Sequence, residues 1–308
     1  MRRAAVLLGL AALLAGCGGS SNEGSPPRPL PTSLAHLFHY SGTTPVSFQD
    51  HGLANHDFPV KVHVVTYSGP DGDRVGGYLM VPPGKGPHAG VVLVPGAGAS
   101  ADEWVVTGTE LASRGAVVLA IGPSFVSGQG ATASNLAGVF SYRAGFTQSV
   151  LDVRRALDVL AARPDVDPKR LGVVGHSLGA ALTGIVAGVD RRPAAVILIA
   201  PPQHPHFNPP LPQDVQAQTN TLLHSIDPTR YLPSTHAAVL LALAKHDQVI
   251  PRDEYDAFID AAPKGRTIRW YDTGHTMSPS SIDDTMNWLA DELNLGPVPA
   301  YARRTNSG

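Results

Sequence analysis

Apolar residues in this chain recur in short unbroken runs at 90–94, 116–121, 171–174, 194–199 and 237–243. Runs with no polar face suit strands of a parallel sheet buried between helix layers. Two earlier β-rich runs, Val60 to Tyr67 and Val75 to Val81, flank Gly-Pro-Asp-Gly-Asp, whose Asp-Gly predicts a hairpin. The last predicted strand is Thr267 to Tyr271. Helical stretches fall between the strands, at Ala101 to Arg114, Tyr142 to Ala162, Leu178 to Val189, Arg252 to Ala261 and Ser280 to Leu293. Within Gln148 to Ala161, Val150, Leu151, Val153, Leu157, Val159 and Leu160 interleave with Asp152, Arg154, Arg155 and Asp158, as on an amphipathic crossover helix. Repeated strand-helix units imply right-handed crossovers. The predicted architecture is α/β, a mostly parallel, doubly wound sheet of about eight strands with helices on both faces. No internal repeat and no second core interrupts it.

The pattern changes at both ends. Arg2 and Arg3 precede an apolar run from Ala4 to Ala15, which as a helix rises only about 18 Å against a hydrocarbon core of about 30 Å. A signal-peptide core fits it better than a membrane span. The ending Leu14-Ala15-Gly16-Cys17 resembles a bacterial lipobox, which implies cleavage before Cys17 and lipid attachment to its thiol. Two acyl chains suffice for stable anchoring. The expected organisation is a lipoprotein signal peptide at 1–16, lipidated Cys17 with a Gly/Ser/Pro tether to 34, a folded domain at 35–296 and a polar tail at 297–308. That organisation predicts an exported protein, anchored by lipid to the outward-facing side of the bacterial cell membrane.

Composition narrows the chemistry. The 308 residues carry 23 Lys and Arg against 25 Asp and Glu, a net charge of −2, so no basic surface for nucleic acid is expected. A single Cys excludes an internal disulfide framework and a multi-cysteine metal site. Neither GxGxxG nor GK[ST] occurs, so no nucleotide cofactor is implied. The pair His204 and His206 lacks an obvious carboxylate partner and, like His36 and His39, reads as solvated rather than metal-binding. No metal is expected, and oligomeric state is not assigned.

The candidate chemistry gathers where strands end. Gly175-His176-Ser177-Leu178-Gly179 is a GxSxG motif fed by an apolar strand and followed by a small-residue helix, the strand-turn-helix of a nucleophile elbow. Gly175 and Gly179 remove side chains that would collide in so sharp a turn. A Ser hydroxyl needs a base, and the base needs an acid to fix its tautomer. Of six His after Ser177, only His275 stands in a Gly-containing loop between a terminal strand and a terminal helix. Asp247, at the end of the preceding strand, is the candidate acid, with Asp272 as its rival. For the oxyanion, backbone N–H groups of Leu178 and of Ala97 are the candidate donors, with Gly98 second to Ala97.

With its order Ser177, Asp247, His275, its stretch Pro164-Asp-Val-Asp-Pro-Lys-Arg-Leu-Gly-Val-Val-Gly-His-Ser-Leu-Gly and its Asp-Gln-Val-Ile-Pro loop, the chain resembles the α/β-hydrolase superfamily over 60 to 295. Within it, the resemblance is to dienelactone-hydrolase-like esterases and their peptidase cousins. It implies the α/β-hydrolase fold, a Ser-His-Asp triad at Ser177, His275 and Asp247, and a small-molecule ester substrate. Dienelactone hydrolase itself uses Cys where this chain has Ser177, so its particular substrate does not carry over. Two segments, Gly122 to Phe140 and the insert Pro201 to Pro233, are expected to overhang the strand ends as pocket wall or lid. A prolyl-oligopeptidase-like peptidase and a two-lobed solute-binding lipoprotein are the alternatives; the latter requires no reactive Ser.

Overall fold

A computed structural model describes residues 26–42, 45–54, 58–127, 133, 135–205, 207 and 210–299. The expected signal peptide, Cys17, His206 and most of the polar tail lie outside the described residues. Nine strands form one sheet: β1 (Gln49–Leu53), β2 (Lys61–Ser68), β3 (Arg74–Val81), β4 (His88–Val94), β5 (Ala116–Gly122), β6 (Val166–His176), β7 (Pro193–Ile199), β8 (Ala238–Ala244) and β9 (Thr267–Tyr271). The spatial order is β1-β2-β3-β5-β4-β6-β7-β8-β9. β1 to β3 and the β3–β5 pair run antiparallel; every pair from β5 through β4 to β9 is parallel. This is the α/β-hydrolase fold, and a single continuous sheet is not the two-lobed body of a solute-binding protein.

The apolar runs mark the middle of the sheet because those strands are covered on both sides. In β6, Gly172 faces Leu289 of helix α8 (Pro279–Glu292), while a Cβ on Gly175 would run into Gly179 and Thr183 of α5 (Leu178–Val189). Alternating positions of one strand thus meet helices from opposite layers. The remaining helices are α1 (Thr32–Leu37), α2 (Val105–Ser113), α3 (Ser124–Ser127), α4 (Leu136–Ala161), α6 (Gln213–Leu223) and α7 (Arg252–Ala261).

Three differences from the sequence expectation have physical causes. β1 makes a ninth strand although all five of its residues are exposed; it is held by backbone pairing to β2, which leaves no hydrophobic signature. α4 begins at Leu136, six residues before the predicted start, because the Asn135 side chain caps it by accepting the Gly138 N–H at 3.0 Å. The domain begins inside the expected tether rather than at 35. Arg28 N–H bonds Pro233 O at 2.9 Å, α1 starts at Thr32, and Leu34 is buried. Tyr40 then donates to both carboxylate oxygens of Asp158 on α4 (3.0 and 2.9 Å) beneath the guanidinium of Arg154, 4.7 Å from its ring. Among the described residues no helix is long and apolar enough to cross a membrane.

Candidate active site

Ser177 sits between β6 and α5 with φ +51° and ψ −120°. A non-Gly residue held there costs on the order of 1–3 kcal/mol, so the surroundings must impose it. They do: the Ser177 N–H is tied to Ile199 O at 2.8 Å, and the chain passes through two contacts that admit only glycine. A Cβ on Gly175 would lie 2.2 Å from Gly179 O, and one on Gly179 would lie 2.4 Å from Val94 O. The turn leaves the Ser177 side chain half-buried at the carboxyl end of the sheet.

The loops after β8 and β9 end at the same edge. His275, from the loop after β9, places Nε2 2.9 Å from Ser177 Oγ and Nδ1 2.9 Å from Asp247 Oδ2. Asp247, from the loop after β8, has a side chain only 2% exposed, so its charge needs partners. Oδ1 accepts the N–H groups of Val249 (2.8 Å) and Ile250 (2.9 Å), and Oδ2 accepts the Tyr255 hydroxyl from α7 as well as His275. Burial pushes the Asp247 carboxyl up, but the bonds from Tyr255, Ile250, His275 and Val249 outweigh it and hold the group below its ordinary value. A carboxylate so held remains charged and fixes the proton of His275 on Nδ1, which leaves Nε2 free to accept from Ser177. The rival acid, Asp272, lies elsewhere: its exposed carboxylate bonds His246 Nε2 at 2.7 Å.

Of the two expected oxyanion donors, Leu178 follows Ser177 directly, and Ala97 follows Gly96, where an added Cβ would lie 3.4 Å from Ser177 Cβ. Leu178 is the first residue of α5, so its N–H has no helical acceptor. In the loop after β4, the Gly98 N–H is committed to Val126 O at 2.8 Å, and Gly96 donates to Glu103 Oε2 at 3.0 Å. Ala97, between them, has no acceptor for its N–H among the described residues, which favours it over Gly98. Tyr255 and Glu103 escaped the sequence reading; both lie on helical turns among charged neighbours, indistinguishable there from solvated positions.

The insert after β7 forms a wall. Buried Glu254 of α7 accepts the Gln203 N–H at 2.6 Å, fixing the start of the insert. A narrow crevice of about 20 Å³ runs beside Leu178 and Ala181 under Tyr142 and Phe146. It shares His204, Pro205 and Leu223 with an open cleft of about 650 Å³ floored by α6 and Phe207. His204 therefore lines the cleft, while His36 and His39 are exposed on the N-terminal segment. Among the described residues no three His, Cys, Asp or Glu side chains gather as a metal site.

Residues 85–238 match the family described as serine aminopeptidase, S33. The acetyl esterase Axe7A of Xylanibacter ruminicola is 26% identical over 206 residues, which are 57% of this chain and 46% of that protein; the chain spans about half of that relative's length. The acetyl xylan esterase from Paenibacillus sp. R4 superposes with a TM-score of 0.69 at 22% identity, covering 84% of this chain and 91% of that one. Acetyl xylan esterase 1 from Thermoanaerobacterium sp. JW/SL YS485 superposes with a TM-score of 0.72 at 18% identity, over 88% and 97%. At such identities the two structures establish the fold.

Proposed function

Because the chain belongs to the family described as serine aminopeptidase, S33, we propose that it is a serine hydrolase that cleaves carboxylic esters of short acyl groups, acetyl first. The observation that carries the reading is the line Ser177 Oγ, His275 Nε2, His275 Nδ1, Asp247 Oδ2, with 2.9 Å at each hydrogen bond. Ser177 attacks the ester carbonyl as His275 takes its proton, and Asp247 stabilises the imidazolium that forms. The negative oxygen of the tetrahedral intermediate accepts the N–H groups of Ala97 and Leu178. His275 then gives its proton to the departing alcohol, leaving the acyl group on Ser177. Water deprotonated by the same His275 attacks that acyl group and releases the acid.

Two features support a short acyl group: the narrow crevice beside Leu178 and the acetyl esterase among the relatives. The family's description favours a second reading, cleavage of an N-terminal amino acid. That reaction needs a carboxylate to hold the substrate's ammonium, and none is among the described residues lining the crevice or the cleft. Turnover of p-nitrophenyl acetate, butyrate and octanoate compared with aminoacyl p-nitroanilides tests both readings. The ester reading predicts that the acetate is hydrolysed fastest; faster turnover of the anilides would replace it with the peptidase reading.

The reading extends to the cell envelope on the support of sequence alone, Arg2-Arg3, the apolar run to Ala15 and Leu14-Ala15-Gly16-Cys17. Export and cleavage before Cys17 predict an N-terminal peptide carrying a diacylglyceryl mass on Cys17. An unmodified Cys17 in protein recovered from membranes would contradict the anchor.

A further inference from the structure

Glu103 joins two parts of the site that reach it from different strands. Its Oε1 lies 2.7 Å from Nδ1 of His176, the residue before Ser177, and its Oε2 accepts the N–H of Gly96, the residue before Ala97. The side chain is fixed from below by a 3₁₀ turn, Ala101–Trp104. Ser100 caps that turn by accepting the Asp102 N–H at 3.3 Å, the Tyr78 hydroxyl donates to Asp102 at 2.8 Å, and Trp104 is buried. Facing a carboxylate, His176 Nδ1 carries the ring proton. The other edge of the ring approaches the site: His176 Nε2 is 3.4 Å from the His275 carbonyl, and the two rings lie 5.4 Å apart.

The loop carrying Ala97 is thus tied on both sides, at Gly96 to Glu103 and at Gly98 to Val126. It also touches the elbow, since a Cβ on Gly96 would come within 3.4 Å of Ser177 Cβ. Oxyanion donors must stand about 2.7–3.1 Å from where the charge develops, a window only a few tenths of an ångström wide. We propose that Glu103 is a positioning residue that sets the gap between the Ser177 hydroxyl and the Ala97 N–H. The proposal rests on the reading of Ser177 as nucleophile. Glu103 touches no reacting atom, so its effect falls on the transition state and not on ground-state binding.

Steady-state kinetics on p-nitrophenyl acetate for the wild type, E103A, E103Q and S177A test it, together with inhibition by a trifluoromethyl ketone that mimics the tetrahedral intermediate. E103A is expected to lower kcat about 10- to 100-fold with KM within about 2-fold, and ketone affinity should fall in step with kcat/KM. E103Q should recover part of kcat, because its amide oxygen can accept from Gly96 while its amide N–H donates to the other tautomer of His176. Should E103A fail to fold, E103D, which is too short to span both partners, is judged by the same criteria. Wild-type kcat and ketone affinity in the folded variant would overturn the proposal and leave the serine chemistry standing. A loss of kcat with unchanged ketone affinity would likewise overturn it. No ester turnover by the wild type, or undiminished turnover by S177A, would overturn both.

Discussion

The acid of the site is defined by how many donors reach it. Asp247 accepts two backbone N–H groups, the Tyr255 hydroxyl and His275, and its carboxyl stands below its ordinary value although it is buried. A carboxylate with a lowered folded-state pKa stabilises the fold above its unfolded pKa, and that stability disappears as pH falls through the folded one. Tyr255→Phe removes one charge-assisted bond, typically about 1.5–3 kcal/mol, and lets the Asp247 pKa rise. The acid limb of kcat/KM should therefore move to higher pH, with a loss of stability that is full at neutral pH and fades as pH falls below the unfolded carboxyl pKa of about 3.9. An acid limb unmoved by the substitution would show that Tyr255 does not hold the carboxylate. Residue types and chain order made Ser177, His275 and Asp247 legible beforehand. Tyr255 was not legible, because it reaches Asp247 from the next helix and no spacing in the sequence announces that contact.

At the scale of elements, α4 combines an apolar crossover face with a costly polar one. Asp152 is buried on it, and Gln148 Nε2 bridges its Oδ1 (3.0 Å) to Asp73 Oδ1 (3.1 Å) at the β2–β3 hairpin. Burial, reinforced by the charge of Asp73, pushes the Asp152 carboxyl up to about 8. The folded chain holds this proton after the unfolded chain, with a carboxyl pKa of about 3.9, has released it, so stability falls as pH rises between those two values. Asp152→Asn keeps the acceptor for Gln148 without the charge. Its melting temperature should exceed that of the wild type at pH 8 and converge with it below about pH 4; an equal difference at both would contradict the assignment. Elements with apolar runs were read at or near their observed bounds, α5, α7 and β9 at the bounds themselves. Those made by capping or edge pairing, the first turns of α4 and the whole of β1, carry no periodic signal.

Across the whole molecule, the fold turns sequence distance into proximity. Ser177, Asp247 and His275 stand at the ends of β6, β8 and β9, parallel strands whose carboxyl ends share one edge. Parallel order alone was enough to predict that meeting. The walls above it were only partly readable, because the insert between β7 and β8 is shaped by single contacts such as Glu254 to Gln203. The N-terminal docking through Arg28 and Leu34 looked like tether for the same reason. The most direct measurement of the central claim is mass-spectrometric mapping of the residue modified by a fluorophosphonate. The expected adduct is on Ser177 in the wild type, is absent in Ser177→Ala and forms far more slowly in His275→Ala; modification at another residue, or labelling that survives loss of the Ser177 hydroxyl, would contradict it.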